Sequence, residues 1–151
     1  MKAAEYFNQG YSCSESIVKW AIEEGLVPKE LLSCATSFSG GMGSGCLCGA
    51  IAGSQMVIGY LYGRENSNGN EICARAKARE MIQRFTEKHK ATCCRVLTRG
   101  MDMASPERKA HCTNMVEECS KILEEIIKEI GRASVGKECV RRCRSRWSPY
   151  H

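Results

Sequence analysis

Apolar positions recur at three- and four-residue spacing along almost the whole chain, and no run alternates with period two. That pattern predicts an all-α fold. A short helix over residues 2–8 is followed by Gly10. Ser12 and Glu15 then match the Ser-x-x-Glu signature of a capping box and open a helix to about residue 24, stopped by Gly25. Ile17, Val18, Ala21 and Ile22 supply its apolar stripe. Pro28 suits the first turn of the next helix, which carries Leu31, Leu32 and Ala35. Further on, Asn68 or Asn70 caps a helix reaching about residue 90, with Ile72, Ala76, Met81 and Phe85 on or near one face. A short element surrounds residues 93–97. Ser105-Pro106-Glu107 opens the longest helix, whose inner face runs from Cys112, Met115, Val116 and Cys119 through Ile122, Leu123, Ile126, Ile127 and Ile130 to a stop at Gly131.

The middle of the chain is different. Between Glu30 and Arg64 there is no charged residue: a glycine-rich turn, Ser39 to Gly45, precedes an apolar segment over residues 46–63. Its length nears the lower limit for a membrane span, but Ser54 and Gln55 interrupt it. The expectation is therefore a central helix buried on all sides, with no membrane role. Glycine within a helix costs about 1 kcal/mol relative to alanine. Gly49, Gly53 and Gly59 thus call for an offset, from close approach of a second backbone or of a bulky cofactor. The whole pattern predicts a single compact bundle of about five or six helices around this glycine-rich helix.

Charge divides the chain in two. Residues 132–151 carry Arg132, Lys137, Arg141, Arg142, Arg144 and Arg146 against Glu138 alone, which equals the net +5 of the entire 151-residue chain. Residues 1–131 are a neutral helical domain, with no electrostatic footprint for nucleic acid. Residues 132–151 form an appended basic tail. Met1 to Gly10 lacks an apolar signal core, so a cytoplasmic, reducing setting is expected. Eleven cysteines, an odd number, then point to metal binding or redox chemistry more than to structural disulfides.

Four cysteine-bearing segments stand in order. They are Gly10-Tyr-Ser-Cys13, Cys48-Gly49-Ala50-Ile51-Ala52-Gly53 after Gly-Gly-Met-Gly43, Cys94-Arg-Val-Leu97, and Cys112-Thr-Asn-Met-Val116. Over roughly residues 3–130 the chain resembles a family of small bacterial or archaeal proteins presumed to be redox-active. That family is named for four cysteines and a Cys-Gly-Ala-x-x-Gly motif. The resemblance implies that Cys13, Cys48, Cys94 and Cys112 are the functional set. Three features depart from it: Cys46, which makes Cys-x-Cys; Cys93, which makes a vicinal pair; and the basic tail.

The four cysteines lie 35, 46 and 18 residues apart, so each comes from its own element. No Cys-x-x-Cys occurs, and any site must be assembled by the fold. Cys13 and Cys48 fall near predicted helix amino termini, where the dipole favours thiolate. Four converging thiolates in an apolar bundle suit an iron–sulfur cluster, its type left open, and also suit two dithiol/disulfide pairs. The bland alternative is four buried cysteines acting as small hydrophobes.

Of the others, Cys34, Cys73 and Cys119 read as ordinary core. Cys46 and Cys93 are rival ligands. Cys139 and Cys143 share one helical face, fit for a metal or a bridge, or stand as incidental thiols in a solvated tail. His111, beside Cys112, is expected to face solvent. The expected role is electron transfer or redox sensing through a cluster, with a redox partner protein and self-association left open. The alternatives are a metal-free thiol oxidoreductase using those four cysteines, with Cys46–Cys48 as a candidate exchanging pair, and a non-catalytic module whose tail docks an acidic partner or nucleic acid; whether the chain is an enzyme stays open.

Overall fold

Ser12 accepts a hydrogen bond from the Glu15 amide while the Glu15 carboxylate accepts from the Ser12 amide, so the capping box forms as its spacing predicts. In the computed structural model it opens α2 (Cys13–Glu23), after the short α1 (Ala3–Asn8). The structure describes residues 1–102 and 104–129; the basic tail, with Cys139 and Cys143, and the predicted helix stop at Gly131 lie outside them. The remaining helices are α3 (Leu31–Ala35), α4 (Gly49–Tyr62), α5 (Ile72–His89), α6 (Cys94–Leu97) and α7 (Pro106–Glu129). The described residues thus hold seven helices, of which α3 and α6 are single turns, and an all-α bundle. None is long and apolar enough to cross a membrane.

Helix α4 is the predicted central helix. It packs against α2, α3, α5 and α7, and it buries Ile51, Val57, Ile58, Leu61 and Tyr62. Its glycines divide. A Cβ at Gly53 would stand 2.6 Å from the Ser14 carbonyl oxygen, so α2 and α4 touch backbone to backbone there. Close helix packing therefore offsets that glycine's cost. Gly59, by contrast, is exposed and has nothing within 4 Å of such a Cβ, so the expected offset is absent at that position.

Helix α5 corrects another expectation. It buries Lys77, Met81 and Phe85, whereas Ile72 is 70% exposed. At about 100° per residue, Ile72 stands half a turn away from Met81. Helix α7 follows the predicted stripe closely, burying Met115, Val116, Cys119, Ile122, Leu123 and Ile126. It packs against α1, α2, α4 and α5, and its amino end reaches the site.

Candidate functional site

The site begins with a strained turn. Residues Gly40 to Gly43 all have positive φ, including Met42 at 62°, a conformation that costs a non-glycine residue about 1–2 kcal/mol. The turn closes with the Cys46 amide donating to the Gly41 carbonyl at 2.9 Å. Only glycine fits at position 41, because a Cβ there would lie 2.5 Å from the Cys46 nitrogen and 2.9 Å from Cys94 Cβ. The chain leaving this turn pairs with a distant segment. Leu47 bridges Cys93 in antiparallel fashion, the Cys94 amide donates to the Cys46 carbonyl at 2.5 Å, and the Cys48 amide donates to the Thr92 carbonyl at 2.8 Å. Arg95 donates to the Ser44 carbonyl and the Cys93 thiol to the Gly45 carbonyl, locking the same junction. Backbone pairing across 46 residues thus sets Cys48 beside Cys94.

Cys13 arrives from the other side, as the first residue of α2. A Cβ on Gly49 would collide with its sulfur, so the glycine of the Cys-Gly-Ala motif is the space that Cys13 occupies. Cys112, on the second turn of α7, completes the set. Cys13, Cys48, Cys94 and Cys112 together border one cavity of about 50 Å³, with Gly49, Leu97, Met115, Arg108 and His111 among the other walls. A single water needs only about 15 Å³ on a comparable measure. The fold therefore brings together all four cysteines of the predicted set, and all four are free thiols.

The electrostatics differ from the expectation at the amino end of α4. Cys48 caps the amino end of α4, where the Ala50 and Ile51 amides favour thiolate. Burial outweighs them and pushes its thiol up to about 12, with nearby Cys13 and Cys94 adding to the rise. Burial also raises Cys94 and Cys112; the Arg108 guanidinium beside both opposes the rise without cancelling it. The helix dipole is a partial charge, too weak to replace lost hydration.

Of two further residues at the cavity, Arg108 carries no expectation from the sequence and His111 departs from the one it had. Arg108 stands four residues before Cys112 on α7, a spacing that places both on one helical face. His111 is half-buried at the cavity instead of facing solvent, and its Nε2 is buried without a hydrogen-bond partner among the described residues.

The other cysteines sort differently from expectation. Cys119 is fully buried in the core, as predicted. Cys34 is exposed, because α3 turns Leu31 and Ala35 toward the core instead. Cys73 is disulfide-bonded, which no reading of its helix face suggested. Cys46 is exposed and Cys93 half-buried; both flank the cavity without bordering it.

The donor set at the cavity is four sulfurs, with one guanidinium, one imidazole and the Thr98 hydroxyl beside it and no carboxylate among the described residues. No group of three or more His, Cys, Asp or Glu side chains among the described residues is arranged to hold a metal ion. A mononuclear site needs its ligands about 2.3 Å from one point, whereas a cluster spreads them over several iron atoms. In chemical type the four thiols fit a cluster.

Comparison with known families finds one model that covers most of the chain. Residues 11–126 match the family described as "Putative redox-active protein (C_GCAxxG_C_C)". All four cysteines fall inside the match, as do the strained turn, Arg108 and His111. The family's shorthand writes Gly before Cys, whereas this chain reads Cys48-Gly49-Ala50-x-x-Gly53. No curated protein and no solved structure matches the chain.

Proposed function

The chain belongs to the C_GCAxxG_C_C family of redox-active proteins, and from that premise we propose that its centre is a cysteine-ligated iron–sulfur cluster serving electron transfer or redox sensing. The observation that carries this reading is the convergence of four free thiols, each from a different element, on one small cavity. Cys13, Cys48, Cys94 and Cys112 would hold the group, which supplies one-electron redox chemistry when bound.

Three features of the chain support it. Thiols held protonated by burial are poor nucleophiles at neutral pH, and a soft metal is what would draw them into the thiolate form. The amino ends of α2, α4 and α6 meet at the cavity, and Arg108 adds a full positive charge, so the surroundings favour a centre of net negative charge. Leu97 and Met115 keep the walls apolar.

The second reading, metal-free dithiol/disulfide chemistry, is favoured by one observation. Exposed Cys46 shares a backbone hydrogen bond with buried Cys94, a short path from solvent to the interior sulfurs. Anaerobic purification decides between them. The cluster predicts a brown protein with iron and acid-labile sulfide in near-equal amounts. A colourless, metal-free protein that still cycles between dithiol and disulfide would replace the cluster with the second reading.

A further inference from the structure

A larger cleft lies directly outside the four-cysteine cavity. It measures about 520 Å³, within the range of small-molecule sites, and it is open to solvent. Phe7 of α1 borders it, with Ala104, Ser105 and Pro106 at the entry to α7 and Arg108, Lys109 and Cys112 on that helix. Arg108 and Cys112 border both the cleft and the inner cavity, so one turn of α7 is the partition between them. The inner cavity is too small for a substrate; the cleft is not.

The chemistry of the walls is one-sided. Arg108 and Lys109 are cations, and no carboxylate is among the described residues that border the cleft. Phe7 and Pro106 contribute flat apolar surface to the same cleft. The helix terminus is not the source of this character, since Ser105 already takes the Arg108 amide through its hydroxyl and the Lys109 amide through its carbonyl. What remains is two side-chain cations, Arg108 already hydrogen-bonded to Cys112, and an aromatic ring bordering one volume suited to a small molecule.

We propose that this cleft binds a small oxyanion, a carboxylate or phosphate carried on a flat apolar body. The anionic group pairs with Arg108 and Lys109, and the body lies against Phe7 and Pro106, in contact with the outer edge of Cys112. The proposal does not require that the four thiols hold a cluster.

The test uses the full chain and 4-fluorobenzoate, whose own fluorine signal reports binding. Saturable binding is expected, with a dissociation constant of about 1 mM or tighter. Phenyl phosphate is expected to displace the probe, and its strength relative to benzoate separates a phosphate ligand from a carboxylate. Lys109→Glu is expected to weaken binding about tenfold, and rising salt to weaken it further. Phe7→Ala is expected to weaken it several-fold. Lys121→Glu makes the same change of net charge about 18 Å further along α7 and is expected to stay within about twofold of the unaltered chain. Absence of saturable binding, equal binding of 4-fluorobenzylamine, or equal loss in the Lys109 and Lys121 variants would each overturn the site. Iron and sulfide measured on the same samples report separately on the cluster, so the two proposals fail independently.

Discussion

Helix α7 runs through two environments, and a cysteine stands in each. Cys112 and Cys119 are seven residues apart, two turns on nearly the same face. Both thiols are raised by burial. Around Cys119 the neighbours on the helix are Val116, Ile122 and Leu123, and the residue is fully buried in the apolar core. Around Cys112 stand three more thiols, a guanidinium and an imidazole. Helical phase treats the two alike. What separates them is what other elements bring: Cys13, Cys48 and Cys94 border one cavity with Cys112 and not with Cys119, although Cys48 and Cys13 lie near enough to Cys119 to add to the rise of its thiol.

The sharpest way to break this contrast is to remove one sulfur from each environment. Cys112→Ser is expected to abolish iron content, or dithiol cycling if the second reading holds, because a hydroxyl cannot replace thiolate for a soft metal or a redox reaction. Cys48→Ser should do the same. Cys119→Ser should leave iron and sulfide unchanged while lowering stability by about 1–3 kcal/mol, the cost of burying an unpaired hydroxyl. Elemental analysis and thermal melts on the three variants read both quantities. Equal loss of iron in the Cys112 and Cys119 variants would erase the distinction between the two ends. Cys46→Ser adds a finer cut: a cluster held by the quartet survives it, whereas exchange through Cys46 does not.

A second comparison sets two glycines of α4 against each other. At Gly53 a methyl group meets backbone of α2, with Ser14 Cα at 3.1 Å as well as the carbonyl at 2.6 Å. Backbone cannot rotate away, so Gly53→Ala is expected to destabilise by about 1–3 kcal/mol through forced separation of the helices. It should also disturb Cys13, which stands one residue before Ser14 on α2. At Gly59 there is open space, and alanine is expected to stabilise by up to about 1 kcal/mol from helix propensity alone. Chemical denaturation of both variants gives the two signs. A destabilised Gly59→Ala would mean that this end of α4 is more crowded than its exposed surface indicates.

These contrasts also show which parts of the molecule were legible in the sequence. Local chemistry was: the Ser12–Glu15 box, the stripe of α7 and the burial of α4 all follow from residues within one or two turns of each other. The quartet of cysteines was legible through the family resemblance and not through spacing, since no two of its members share a turn. Arg108 was missed although its position four residues before Cys112 was available as a signal. The Leu47–Cys93 bridge was not legible at all, because an isolated pair leaves no periodicity. Nor were the raised thiols. The dipole argument was sound in sign, but its weight against burial depends on solvent exclusion that only the assembled cavity supplies. Cys34 and Cys73 failed for a related reason: a five-residue helix such as α3 has too little face to fix a phase, and a disulfide on α5 depends on a partner that helical phase does not reveal.

The smallest expected effect lies at the far end of α7, and it is a difference in pH response. There Arg84 of α5 contacts Glu129 and donates to Glu125 at 2.9 Å, joining the two helices away from the thiols. The hydrogen bond from Arg84 holds the Glu129 carboxyl below the ordinary value of 4.5. A carboxylate with a depressed folded value contributes stability above its unfolded value, and that contribution is lost as pH falls through the folded value. The unaltered chain should therefore lose stability below about pH 4.5 more steeply than Glu129→Gln. The pair is about a third exposed, at 28% and 31% of its side-chain surface, so solvent screening limits the difference to about 0.5 kcal/mol. Because Glu129 is remote from the cavity, Glu129→Gln is expected to leave iron and sulfide untouched at neutral pH. Denaturant midpoints compared between pH 3.5 and 7 measure the first expectation, and elemental analysis the second. Parallel midpoints across that range would show that the α5–α7 ion pair carries no stability in water. Loss of iron in the Gln variant would show instead that the two ends of α7 are coupled, and that the apolar half of the helix holds the thiol-bearing half in position.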